Sequence, residues 1–529
     1  MSQAGGQILF HRILRHHAER TPDKTLLRDD HRTLSYAEVE RVTNRFAGAL
    51  GELGVRKGDT VLVMMPSGID YVLLWLALMK AGGIIVPINE AYRGNLLLHQ
   101  ANNSEARLMV LHSSLVDRLE AVADGLVHLK KVILTEGAAD QMARVLARWQ
   151  AVDFRLLWEG PDFAVDAGAE RWDPMAIFYT SGTTGPSKGV LYSQAQAHAT
   201  ALPFARELSA DDVFYMHNPM YHVALPHCFG SVLIPGGSMA VRSRFSLEAF
   251  WPDVRHFGAT VTMMLGAVAS FLSGRPPHPG DRDHTLRKVL MVPLLNDIDR
   301  FRERFGVEVM TWFNMTEVST PLHSDGFRLA NNKSCGRPRP GITARIVDEH
   351  DEPVPTGTVG ELVLRSDNPW EFNLGYWKNP QATVAAWRNL WLHTGDLFKQ
   401  DDDGNFYFVD RLKDAIRRRG ENISSYEVEV EVNAHPAVLE SAAVAVPSEH
   451  GEDEIKIVAA LKPGRHLAAP ELLDFLQTRV PYFMIPRFVE IRRGEIEKTP
   501  TGKIRKVQLR ESGTANCWDR EKAGTVVRR

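Results

Sequence analysis

Cysteine is nearly absent: Cys228, Cys335 and Cys517 are three thiols in 529 residues, far apart and without a CxxC pair. That spacing excludes a disulfide framework and a cysteine-rich zinc site, and favours a reducing, cytoplasmic compartment. A surplus of either charge is absent too. Lys and Arg number 62 against 65 Asp and Glu, for a net charge of -3. No overall basic field therefore argues for nucleic acid or an anionic membrane, and any anionic ligand must be held locally. Long apolar runs are also missing. The most apolar stretch, Tyr71 to Ile88, is broken by Lys80, Gly82, Gly83 and Pro87, which predicts a buried helix, a turn and a strand instead of a membrane span. The opening MSQAGGQILFHRILRHHAERTPDK lacks the apolar core of a signal peptide, while its Arg and His leave a weak transit-like segment as the alternative. No internal repeat is visible, and the runs Asp401-Asp402-Asp403 and Arg417-Arg418-Arg419 are short.

What is present is ordinary globular material, 44% hydrophobic and 24% charged, in a chain longer than one hydrophobic core usually supports. Ser35-Tyr36-Ala37-Glu38 has capping-box spacing, and Val39, Val42, Phe46, Leu50 and Leu53 follow at helical intervals. Short apolar runs at Thr60 to Met65, Ile84 to Val86, Leu108 to Leu111, Lys131 to Leu134 and Ala176 to Tyr179 alternate with helices or loops, the order of a parallel α/β sheet. Beyond about residue 330 the texture becomes Gly- and Pro-rich turns between short alternating runs, Thr343 to Val347 and Gly360 to Leu364 among them, which predicts a β-rich subregion. From Asp410 a helix, two strands, a helix and a strand follow, at 425–433, 441–446, 455–461, 470–479 and 488–491. These roughly hundred residues form one small α+β domain. The expected boundaries are a large domain over 1–410, a junction at 411–414, a small domain over 415–516 and a disordered tail over 517–529.

The most chemical segment is Tyr179-Thr180-Ser181-Gly182-Thr183-Thr184-Gly185-Pro186-Ser187-Lys188-Gly189-Val190, directly after an apolar strand. Glycines let backbone approach an anion, hydroxyls and N–H groups donate to phosphate oxygens, and Lys188 adds a cation. A plain polar loop would not need five Ser and Thr hydroxyls, three glycines and a lysine in this order. Nor is it the Walker loop, because Gly189 stands where that motif needs Ser or Thr after the lysine.

This segment resembles the phosphate loop of the adenylate-forming superfamily, which includes acyl-CoA synthetases, stand-alone adenylation domains and beetle luciferases. The resemblance runs from Leu34-Ser35-Tyr36 to Thr501-Gly502-Lys503. It implies an α/β large domain, a small mobile C-terminal domain, and ATP, Mg²⁺ and coenzyme A acting on a small carboxylic acid. It implies no nucleic-acid partner, and a monomer or homodimer. By the same resemblance Thr180, Ser181, Gly182, Thr183, Thr184, Gly185 and Lys188 hold phosphates, with Thr184 and Lys188 counted as catalytic.

Phe313-Asn314-Met315-Thr316-Glu317 resembles the family's aromatic-Gly-x-Thr-Glu segment. Phe313, Asn314 and Met315 then line the adenylate, Thr316 bonds the α-phosphate and Glu317 is the Mg²⁺ ligand, a role that suits a carboxylate and a hard cation. Asn314 replaces the usual Gly and predicts a short or polar acid. Asp396, Phe408 and Arg411 match the ribose-binding segments; a carboxylate can accept from both hydroxyls of a diol while Arg donates back. Taken alone, Asp396 and Arg411 read as turn and surface residues.

Met220-Tyr221-His222-Val223 matches a segment that reaches the acid, which makes His222 a candidate catalytic group; His217 and His227 stand close by in sequence, and one histidine in such a run also reads as a satisfied core residue. Lys503, in Thr501-Gly502-Lys503, matches the lysine that bridges acid and α-phosphate during adenylation, and Lys413 the hinge. Gly420, in Arg419-Gly420-Glu421-Asn422, matches the segment beside the pantetheine arm, where relatives often carry two glycines. Arg417, Arg418 and Arg419 read either as contacts for CoA phosphates or as a solvated basic face. The small domain most resembles crotonobetaine/carnitine-CoA ligases. A stand-alone enzyme that loads a carrier-protein thiol shares the first half of this chemistry and is the alternative.

Overall fold

A computed structural model describes residues 8–180, 186–295, 297–411, 415–419, 421–449, 451–497, 504 and 506–527. The capping box forms as its spacing predicts: Ser35 Oγ accepts the Glu38 amide at 3.2 Å, and the Glu38 carboxylate accepts the Ser35 amide at 2.8 Å. These bonds satisfy two N–H groups that the start of helix Tyr36–Glu52 would otherwise leave unmet. Its apolar face packs on helix Ile69–Ala81, whose residues are buried on nearly every side. A helix that is apolar all round is stable only inside a large core, where each buried Leu or Trp contributes about 2 kcal/mol. Lys80 is fully buried in that helix and is satisfied by the Glu40 carboxylate at 2.8 Å and Asn44 Oδ1 at 2.7 Å. Burial lowers its ammonium to about 8, against the opposing pull of Glu40. Gly82 ends the helix at φ 72, and a Cβ there would meet Lys57 at 2.9 Å, so the turn into strand Ile84–Pro87 requires glycine.

Two seven-stranded sheets make the large domain. One runs Gln150–Asp153, Lys131–Thr135, Leu108–His112, Thr60–Met64, Ile84–Pro87, Pro174–Thr180 and Lys188–Ser193, parallel except for the antiparallel last pair. The other is parallel from Glu308–Met310 to Thr25–Arg28, with Thr33–Ser35 added antiparallel. The predicted β-rich region is a four-stranded antiparallel sheet of Ile342–Val347, Gly360–Ser366, Leu392–Gln400 and Phe406–Arg411. Among the described residues no helix is long and apolar enough to cross a membrane.

The C-terminal part follows its predicted order, with helix Ser425–Asn433, strands Val438–Pro447 and Asp453–Leu461, helix Ala469–Gln477 and strand Phe488–Arg493. The tail departs from expectation. Instead of disorder over 517–529, Trp518–Asp519 adds a strand antiparallel to Phe488–Arg493. The Arg487 guanidinium holds the Asp519 carboxylate at 3.3 Å, and the Arg520 amide donates to the Arg487 carbonyl at 2.9 Å. An open sheet edge and a partly buried ion pair supply what local composition does not reveal.

Candidate active site

The candidate phosphate loop joins two antiparallel strands, and Thr180 and Lys188 face each other across that pair. Ser181, Gly182, Thr183, Thr184 and Gly185 lie outside the described residues. The Thr180 hydroxyl points back to the Lys188 carbonyl at 3.5 Å. At the loop's far end Ser187 is gripped from three directions: its amide donates to Glu427 at 3.1 Å, its carbonyl meets His99 Nε2 at 2.9 Å, and its hydroxyl lies 3.4 Å from the Gln100 amide. The Lys188 ammonium sits 5.0 Å above the Tyr376 ring, and the Tyr376 hydroxyl donates to Glu317 Oε1 at 2.8 Å. Thus the structure brings the loop lysine and the Thr-Glu carboxylate, 129 residues apart by numbering (317 less 188), to the ring face and the hydroxyl of one tyrosine.

Glu317 is buried, and its segment is held from behind. Gln196, fully buried in helix Gln194–Ala205, donates to the carbonyls of Thr316 at 2.9 Å and Val318 at 3.2 Å. Phe313 meets the buried Phe398 edge to face at 4.9 Å, and Phe398 meets the exposed Phe408 at 5.6 Å. The three rings join the strand that carries Phe313 to the four-stranded sheet. In that sheet Asp396 and Arg411 are direct partners in the register of adjacent antiparallel strands. Asp396 is buried, and its amide donates to the Thr394 hydroxyl at 3.1 Å.

Asn314 is more tied down than its sequence position suggests. Its Oδ1 accepts the Thr320 amide at 3.0 Å, which leaves the Nδ2 side to meet His227 Nε2 at 3.0 Å. Burial lowers the His227 imidazole to about 3. It is therefore neutral, and Nε2 accepts from the amide while the ring proton lies on Nδ1. Burial likewise brings His217 to about 4. His222 differs from both: its side chain is 43% exposed, and Nε2 lies 3.1 Å from Glu421 Oε2. The Tyr221 hydroxyl donates to the other Glu421 oxygen at 3.1 Å, and burial together with that carboxylate holds the phenol well above its ordinary value, hence protonated. Met315 is half-buried and caps a turn, its carbonyl accepting the Val318 amide at 3.1 Å. Gly420, Lys413 and Lys503 lie outside the described residues.

The arginine run is neither a solvated face nor a phosphate claw throughout. Arg418 is buried, and its Nη1 donates to the Phe483 and Ile485 carbonyls at 2.8 Å while Nε meets Glu454 at 2.6 Å. Its donors are consumed inside the small domain. Arg419 faces outward beside Glu454 and Glu521, with φ 53 in the left-handed region that favours glycine.

Residues 14–377 match the AMP-binding enzyme family, and residues 427–503 match the AMP-binding enzyme C-terminal domain. This chain belongs to the AMP-binding enzyme family. The AMP-binding enzyme is 31% identical over 495 residues to a crotonobetaine/carnitine–CoA ligase from Salmonella paratyphi A, covering 90% of this chain and 93% of the relative. Its fold is similar to o-succinylbenzoate CoA synthetase from Bacillus subtilis, with a TM-score of 0.81, 22% identity and coverage of 94% and 98%. It is also similar to the amide bond synthetase McbA from Marinactinospora thermotolerans, with a TM-score of 0.81, 23% identity and coverage of 95% and 99%.

Several residues that shape the site of this AMP-binding enzyme carry little sequence signal. Tyr376 lies in Asn373-Leu374-Gly375-Tyr376-Trp377, which reads as a turn. Gln196 is one of several polar residues in an Ala-rich helix, with Gln194, His198 and Thr200, so its role is not singled out by sequence although a buried polar group needs partners. Glu421 and Glu427 sit in a charged stretch, and only docking of the small domain gives them meaning.

Proposed function

We propose that this AMP-binding enzyme is an ATP-dependent acyl-CoA ligase acting on a small carboxylic acid. The observation that carries the reading is the convergence of Lys188 and Glu317 on Tyr376 at the end of the phosphate loop. The paired Asp396 and Arg411 add the ribose end, and relatives matching 90% of this chain are named as CoA ligases. A buried carboxylate with oxygen donors only suits Mg²⁺, which takes one or two protein carboxylates and completes its shell with phosphate oxygens and water. Glu317 would hold it, and when bound it would neutralise charge on the polyphosphate.

In the first step a carboxylate oxygen attacks the α-phosphorus, and the bond to the bridging oxygen breaks to release pyrophosphate. Like charges meet here, so cations set in advance lower the barrier: Lys188 at the loop and Lys503 from the small domain. In the second step the thiol gives its proton to solvent, its sulfur attacks the acyl carbon, and AMP leaves. The small domain, residues 415–516, turns about 411–414 between the steps, and His222 orients the acid. A pyrophosphate-release screen over a panel of carboxylic acids, with and without CoA, tests this reading. Release of pyrophosphate together with a free acyl-CoA is expected. Pyrophosphate without any acyl-CoA would instead mean that a carrier-protein thiol is the acceptor, and no release with any acid would sink the reading.

A further inference from the structure

The segment Asn373 to Trp377 pairs with the strand that begins at Lys188. Leu374 and Trp377 amides donate to the Leu191 and Gly189 carbonyls at 2.9 and 2.7 Å, and the Leu191 amide donates to the Gly375 carbonyl at 3.0 Å. The Asn373 amide donates to the Glu317 carbonyl at 3.0 Å, so one short segment binds the Glu317 backbone and the strand that carries Lys188. Tyr376 is further fixed by its amide, which donates to the Thr383 hydroxyl at 2.9 Å. Its ring carries Lys188 on one face at 5.0 Å, and its hydroxyl reaches Glu317 at 2.8 Å. A carboxylate oxygen only accepts, so the Tyr376 hydroxyl is the donor in this bond.

We propose that Tyr376 is a positioning residue that keeps Lys188 and Glu317 apart yet fixed, so that a polyphosphate and its divalent cation meet preset partners. Opposite charges this near would otherwise pair with each other and cancel the field each offers a ligand. An aromatic face attracts an ammonium without neutralising it, and a hydroxyl steadies a carboxylate without removing its charge. This inference rests on the ligase reading above.

Binding of ATP and of AMP, each without acid, measured by calorimetry at limiting and saturating Mg²⁺, tests it in Tyr376→Phe and Tyr376→Leu. The Phe variant keeps the ring and loses the hydroxyl, so about tenfold more Mg²⁺ is expected for half-maximal ATP binding, with affinity restored at saturation. The Leu variant also loses the ring and is expected to bind ATP weakly at any Mg²⁺ level. AMP, which lacks the β- and γ-phosphates, should bind both variants as it binds the parent. A Phe variant with the parent's Mg²⁺ dependence overturns the proposal, and so does a loss of AMP affinity equal to that of ATP, the mark of a merely structural role. A parent enzyme whose ATP binding ignores Mg²⁺ overturns the ligase reading and this inference with it.

Discussion

Glu427, on the first helix of the small domain, accepts the Ser187 amide proton at 3.1 Å across 240 residues of chain. The carboxylate therefore occupies a donor at the rim of the phosphate loop, and the contact crosses between the two domains. Burial raises this carboxyl from 4.5 to about 7, partly offset by the Ser187 amide. The docked carboxyl thus holds its proton more tightly than an undocked one. Docking is strongest below 4.5 and weakens as pH rises through about 7. Fluorescence transfer between labels on the two domains should fall from pH 6 to 8 in the parent and stay level in Glu427→Gln; a pH-independent parent would refute the link.

Lys503→Ala should lose adenylate formation by about a hundredfold or more, roughly 3 kcal/mol, because one preorganised cation is removed from a charge-developing transition state. Transfer of the acyl group from supplied acyl-adenylate to CoA should survive. Equal loss in both half-reactions, followed by pyrophosphate release and thioester formation, speaks against the assignment.

Asn314→Gly removes the acceptor of the buried Thr320 amide and the donor to His227. Leaving such groups unmet costs about 1–3 kcal/mol, so the thermal midpoint should drop. The same change should widen acceptance toward longer acids. An unchanged profile over a chain-length series would remove Asn314 from the determinants of specificity.

Arg418→Ala strands the buried Glu454 carboxylate and two carbonyls. Breaking a buried pair costs about 3–5 kcal/mol, and urea denaturation should show the small domain melting earlier. Arg418→Ala paired with Glu454→Gln should recover part of that loss. A variant as stable as the parent would contradict the buried role.

Much of the fold is legible in the sequence because it follows from local rules. The Ser35–Glu38 capping box, the largely apolar helix closed by Gly82, and the alternation of short apolar runs each fix an element before any tertiary contact exists. The loop between strands Pro174–Thr180 and Lys188–Ser193 stands out in the sequence for the same reason, since its glycines, hydroxyls and Lys188 are contiguous. The tertiary structure decided what depends on distance in space. It set Tyr376 between Lys188 and Glu317, turned Arg418 inward to Glu454 and two carbonyls, bound Asn314 to His227, and paired Trp518–Asp519 with a strand thirty positions earlier by numbering. Those outcomes come from burial: once water is excluded, every polar atom must find a partner, and which partner it finds is set by the packing of segments far apart in the chain.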